Sequence, residues 1–254
     1  MATTFAAQPD FSAKVRGFLD RKTQLLIDGK WVDSTGSKTV ETHDPSTGKL
    51  IANLVDASDE DVNRAVAAAR RAFDDGRWTG MPAAQRERII HRFADLIEAH
   101  AEELAELESI DNGKPHFFAS HVDIPGAIGQ FRYQAGWATK LHGNHHAPSS
   151  APEGAFHAYV RREPLGVAAL IVPWNFPLLM AALKLAPALA AGCTMILKPA
   201  EQTSLTALRI GDLVAEAGIP DGVVNILTGL GETVGDALVR HPDVDKVAFT
   251  GSTN

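Results

Sequence analysis

Hydrophobic and polar positions follow two regimes along this chain. Over the first sixty residues, short apolar runs are separated by polar turns. Leu25–Ile27 and Trp31-Val32 flank Asp28-Gly29, a pair suited to a two-residue hairpin, and a second turn is expected at 45–48. From Gly166 onward the pattern becomes regular. VAALIV (167–172), CTMILK (193–198), VVNILT (223–228) and KVAFT (246–250) are apolar runs of strand length, separated by helical stretches near 178–191, 204–217 and 232–240. One strand plus one helix about every 30 residues predicts right-handed crossovers. The expected fold is α/β: an open, mainly parallel sheet with helices on both faces, Rossmann-like.

Between these regimes the spacing predicts helices. Ser58 with Asp61 three positions on marks a helix start, after which Val62, Val66, Ala69 and Phe73 share a face. Pro82 opens a longer helix whose stripe is Ile89, Phe93, Leu96, Ile97, Leu104 and Leu107. Glu98, Glu102, Glu103, Glu106 and Glu108 are expected on its solvated outer face, and Asn112-Gly113 with Pro115 ends it. Residues 142–163 turn polar and then alternate toward Phe156, Ala158 and Val160, which predicts a protruding hairpin. Its His142, His145 and His146 have no carboxylate or thiolate nearby and read as a solvated loop, not a metal site. The expected organisation is a partly disordered leader at 1–24, an N-terminal portion at 25–141, the hairpin at 142–163 and a βα core at 164–254.

Composition narrows the function classes. The 254 residues are 45% hydrophobic and 22% charged, which suits a sizeable core. With 24 basic and 31 acidic residues the net charge is −7, and the positive footprint that nucleic acid requires is missing. The apolar stretch 178–197 has bilayer-spanning length, but Lys184, Pro187 and Ala191-Gly192 interrupt it, so a buried helix followed by a strand is expected and no membrane partner. The single cysteine, Cys193, excludes an internal disulfide framework and fits a reducing, cytoplasmic location.

In parallel sheets ligands bind beyond the carboxyl ends of the strands. Those ends carry Pro173-Trp174-Asn175-Phe176-Pro177, Lys198-Pro199-Ala200-Glu201, Gly229-Leu230-Gly231 and Gly251-Ser252-Thr253. Taken singly each has a structural reading: Asn175 could cap the helix that Pro177 begins, and glycine pairs mark any tight turn.

Together, PWNFP (173–177), KPAEQT (198–203), IPDGVVNILTG (219–229) and FTGST (249–253), with DNGKP (111–115) and REPLG (162–166), resemble the aldehyde dehydrogenase superfamily in order and spacing. The resemblance runs from about Gln24 to the last residue. It implies NAD-dependent oxidation of an aldehyde to a carboxylic acid, in which a cysteine thiolate attacks the aldehyde and hydride passes to the nicotinamide. Asn175 is then the donor that stabilises the oxyanion. Lys198 and Glu201 hold the adenosine ribose hydroxyls, and a carboxylate there disfavours a ribose phosphate, so NAD is expected over NADP. Gly229 and Gly231 admit the cofactor to the backbone, although Gly235 comes one position late for GxGxxG. Gly251 and Ser252 approach the pyrophosphate and nicotinamide, and Val172, Pro173 and Trp174 line the cleft.

The family's nucleophilic cysteine and general-base glutamate lie past the GST turn, so residues 1–254 are expected to be inactive alone. Cys193 lies at the far end of its strand, about 16 Å from Lys198 at ~3.3 Å per residue, and is assigned a packing role. The resemblance also implies homo-oligomers of the complete enzyme. A noncatalytic nucleotide-binding or assembly module is the alternative.

Overall fold

The computed structural model describes residues 11–252 except 148, 151, 153 and 155. Helix α1 (Ala13–Leu19) is followed by strands β1 (Leu25–Ile27), β2 (Lys30–Val32), β3 (Thr39–His43) and β4 (Leu50–Val55). Asp28 and Gly29 both take positive φ, 53° and 72°, which twists the β1–β2 turn to match the strands it joins. Helix α2 (Asp59–Asp74) begins with the expected capping box: the Ser58 hydroxyl accepts the Asp61 N–H, and the Asp61 carboxylate accepts the Ser58 N–H.

The long helix expected after Pro82 is two helices, α3 (Ala83–Ala99) and α4 (Ala101–Asn112). At His100 the ring Nδ1 lies 2.9 Å from the Leu96 carbonyl oxygen, and the His100 N–H turns to Ile97 instead. The ladder is interrupted there, and α4 starts anew at Ala101. This overturns the solvated reading for Glu103 and Glu108, which are buried, whereas Glu98 and Glu102 are exposed and Glu106 is half-buried. Part of the expected leader is described. Ser12 caps α1, Val15 is fully buried and Arg21 pairs with Asp212, so residues 12–21 are tied to the fold, while 1–10 lie outside the described residues.

Short helix α5 (His116–Phe118) passes through a π-helical turn, Ala119–Asp123, into α6 (Ile124–Ala135). A two-residue ladder, β5 (His145–His146) against β6 (Ala158–Tyr159), forms the exposed hairpin. Then follow β7 (Val167–Ile171), α7 (Pro177–Ala191), β8 (Thr194–Lys198), α8 (Leu205–Ala217), β9 (Val224–Ile226), the π-helical turn Gly231–Gly235, α9 (Asp236–Arg240) and β10 (Lys246–Phe249).

The main sheet has the order β10-β7-β8-β9-β1-β2, parallel through β9 and antiparallel at the β1–β2 hairpin. Both faces are covered, which explains the continuous apolar runs. Val167, Ala169 and Ile196 pack against Val62, Val66 and Ala69 of α2, whereas Ala168, Leu170, Met195 and Leu197 pack under α3, α4, α6, α7 and α8. Helix α7 runs through Pro187, and no helix among the described residues is long and apolar enough to cross a membrane.

Candidate functional site

The parallel register sets Phe249, Ile171 and Lys198 side by side, with Leu197 opposite Ile226. One step further along, the Thr250 N–H donates to Ile171, Val172 to Lys198 and Leu227 to Leu197. All four strand ends therefore open on one edge of the sheet. The chain passes from β7 outward through β8 to β9, then returns to place β10 on the other side of β7. The order reverses between Val172 and Thr250, where a doubly wound sheet forms its ligand crevice.

At the end of β8, Lys198 is 2% exposed and its Nζ donates to Glu201 Oε2 at 3.0 Å. Burial pulls the lysine down from its ordinary pKa, although Glu201 and Asp56 oppose that shift. Burial would raise the Glu201 carboxyl, but the Lys198 charge and hydrogen bonds outweigh it and leave the group lowered. The result is an ammonium and carboxylate held together at the crevice, a donor and an acceptor able to serve vicinal hydroxyls.

Gly229 has φ +139°, and a Cβ on it would fall 2.5 Å from Val234 Cγ2 and 2.6 Å from Asp56 Oδ1. Only glycine fits. The following Leu230 N–H donates to Asp56 at 3.2 Å. Gly231 faces open space and begins the π-helical turn, in which the Gly235 N–H reaches back five residues to the Leu230 carbonyl. That wider turn absorbs the extra residue that makes the spacing GxGxxxG. It brings Gly235 against Ile171, since a Cβ there would sit 3.9 Å from the Ile171 Cδ1. Asp56 is a site residue that periodicity does not reveal. It lies at the end of β4, far from the glycines in sequence.

After β7, Val172 is buried, Pro173 is half-buried and Trp174 is 58% exposed. Gly251 and Ser252 are exposed beyond β10, and Lys184 of α7 donates to Thr250 Oγ1 at 2.9 Å. Asn175 is exposed and does not cap α7: the N-cap is Phe176, without a side-chain capping bond. Glu108 supplies that cap from α4, its Oε2 accepting the Leu178 N–H at 3.2 Å. Among the described residues the Asn175 side-chain amide has no hydrogen-bond partner, while its carbonyl oxygen accepts from Lys114 Nζ at 3.1 Å. Asn112 Nδ2 holds the Trp174 carbonyl oxygen at 2.7 Å. For Asn112 and Lys114 the sequence signal is the DNGKP run, whereas Glu108 lies before it in a glutamate-rich stretch that carries no such signal.

Cys193 is buried just before β8, at the end opposite Lys198.

A mostly parallel sheet covered on both faces, with a crevice at its switch point edged by a glycine-lined turn and a paired Lys and Glu, defines a Rossmann-like α/β protein. Its relatives are specific. Residues 31–254 match the aldehyde dehydrogenase family, and the chain belongs to that family. It is 54% identical over 232 residues to aldehyde dehydrogenase family 2 member B4, mitochondrial, of Arabidopsis thaliana, and 52% identical over 230 residues to a mitochondrial benzaldehyde dehydrogenase of Antirrhinum majus. Each alignment covers 91% of this chain and 42% of the relative. The NAD+ complex of an aldehyde dehydrogenase from Bacillus cereus superposes with a TM-score of 0.92 at 47% identity, covering 96% of this chain and 49% of that one. The chain thus spans less than half the length of these relatives.

Proposed function

We propose that this chain supplies the NAD-binding crevice and the oxyanion donor of an NAD-dependent aldehyde dehydrogenase that oxidises an aldehyde to a carboxylic acid. The observation that carries this reading is the exposed Asn175 amide, unpartnered among the described residues, beside the switch-point crevice. When bound, NAD accepts a hydride. Lys198 donates to, and Glu201 accepts from, the hydroxyls of the adenosine ribose. Glu201 also places negative charge where a ribose phosphate would sit, which favours NAD over NADP. Gly229 and Gly231 let the backbone approach the cofactor, with Val172, Pro173, Trp174, Gly251 and Ser252 around it. The Asn175 amide donates to the aldehyde oxygen as charge develops there, a role in which loss of one donor costs about 100- to 1000-fold in rate.

Cys193 lies too far along β8 to attack an aldehyde beside Asn175, so it has no part in this reading. Alone, residues 1–254 act as a binding module without turnover. We further read the exposed β5–β6 hairpin, with Tyr159 and Phe156 outward, as an assembly arm for a homo-oligomer. The buried single thiol fits a cytoplasmic location, with mitochondria the alternative suggested by the names of two relatives.

Titration calorimetry with NAD and with NADP tests the reading. Saturable NAD binding, tighter than NADP and with the preference weakened in Glu201→Gln, is expected. Equal affinity for both cofactors in the unsubstituted chain would reject the role given to Glu201, and no binding at millimolar cofactor would reject the site.

A further inference from the structure

The turn that carries Asn175 is held from one side by a short stretch of chain, and the holding groups converge on a single ammonium. Trp174 and Asn175 are gripped by their carbonyl oxygens, from Asn112 and Lys114, and Leu178 by its N–H, from Glu108. Phe176 lies over the same ammonium, its ring centroid 4.5 Å from Lys114 Nζ. All the anchors come from 108–114, and the Asn175 side chain is used by none of them.

Lys114 is only 12% exposed. Its ammonium forms an ion pair with Asp123 and lies 3.7 Å from Glu108 Oε1, while the Ser109 hydroxyl fixes its backbone by donating to the Lys114 carbonyl oxygen. Asp123 is presented by the π-helical turn Ala119–Asp123, where one extra residue widens the helix. An ammonium offers three donors in separate directions, and here it meets acceptors on three elements: α4, the π-helical turn and the Asn175 backbone. A guanidinium is planar and offers its donors as a fork, so it keeps the charge without this three-way geometry.

We infer that Lys114 is a positioning residue for Asn175, fixing the 174–178 turn through the Asn175 carbonyl oxygen so that the side-chain amide stays directed to the aldehyde oxygen. The inference rests on the oxyanion role proposed above for Asn175. It assigns the DNGKP run a task in the reaction as well as in ending a helix.

The test compares the unsubstituted chain with Lys114→Arg and the neutral double variant Lys114→Met/Asp123→Asn, which removes the ion pair as a unit. Isotope-resolved NMR reads the Asn175 side-chain amide, assigned through Asn175→Asp, and the backbone amides of 174–178. Calorimetry reads NAD. In both variants the Asn175 signals are expected to shift or broaden while NAD affinity stays within about twofold. In the full-length enzyme Lys114→Arg is expected to lower kcat about 10- to 100-fold with KM for NAD unchanged, in line with the cost of misplacing a catalytic group. Unaltered Asn175 signals in both variants would overturn the inference, as would full kcat in Lys114→Arg. If the unsubstituted chain binds no NAD, the functional reading fails, and the Asn175 signals still decide whether Lys114 sets the turn.

Discussion

Glu108 accepts the backbone N–H of Leu178 across 70 residues of sequence, one helix capping the start of another. The next turn of α4 repeats the arrangement: Asp111 accepts the Leu205 N–H at 2.8 Å, in the first turn of α8. Two carboxylates three residues apart thus satisfy the first turns of α7 and α8, two of the helices that cover one face of the sheet. Each is favoured by the positive end of the helix it meets.

This placement makes stability pH-dependent. Burial raises Glu108 from 4.5 to about 7, opposed by Lys114 and by the Leu178 N–H. A carboxyl with a raised folded pKa binds its proton more tightly in the folded chain, so stability falls as pH rises from about 4.5 to about 7 and then levels off. The shift corresponds to on the order of 3 kcal/mol. Asp111, also raised by burial, acts in the same direction. Urea denaturation of Glu108→Gln across pH 4.5 to 8 is expected to show a smaller decline than the unsubstituted chain. Identical pH slopes would remove Glu108 as its source.

Asp61 titrates in the opposite sense. Burial opposes its charge, but Ser34, Ser58 and the Thr35 N–H hold the carboxylate below its ordinary range. A lowered carboxyl contributes stability above its unfolded pKa and loses it as pH falls toward the folded value. Asp61→Ala strands several of these donors in a part-buried setting. A loss of about 2 to 3 kcal/mol at pH 7 is expected in urea melts, against about 1 kcal/mol for Ser58→Ala. Equal costs for the two would show that the extra bonds to Asp61 contribute nothing.

Gly229→Ala places a methyl against Val234 and Asp56 and forces a φ that side chains avoid. Destabilisation of about 2 to 4 kcal/mol is expected in thermal or urea melts, together with weaker NAD binding. Gly231→Ala, with open space around its Cα, is expected to cost under 1 kcal/mol. Similar stability for the two variants would contradict the packing described at Gly229.

Lys198→Met removes the ammonium from its pair with Glu201 and leaves that carboxylate without its partner. If Lys198 donates to a ribose hydroxyl, a charge-assisted bond worth about 1.5 to 3 kcal/mol is lost, and NAD affinity falls about 10- to 100-fold by calorimetry. Unchanged affinity would separate Lys198 from the cofactor.

Much of the architecture was legible in one dimension. The four apolar runs after Gly166 needed no partner to be read as strands, because burial on both sheet faces removes polar positions and leaves only length and punctuation. Asp28-Gly29 and the Ser58/Asp61 box are local chemistry, complete within a few residues. PWNFP, KPAEQT and FTGST, three of the motifs that marked the family, lie at strand ends, where the backbone requirements are also local.

What the tertiary structure alone decided is where the polar groups go. Glu108 sits in a run of glutamates and carries no mark distinguishing it from its solvated neighbour Glu102. Its burial follows from the break at His100 and the approach of α7, neither of which its flanking residues encode. Asp56 meets Gly229, and Lys114 meets Asn175, only because the sheet and its helices bring distant segments within hydrogen-bond reach. Periodicity records which side of an element is dry. It does not record which distant N–H or carbonyl a buried charge must satisfy, and burial makes that pairing obligatory.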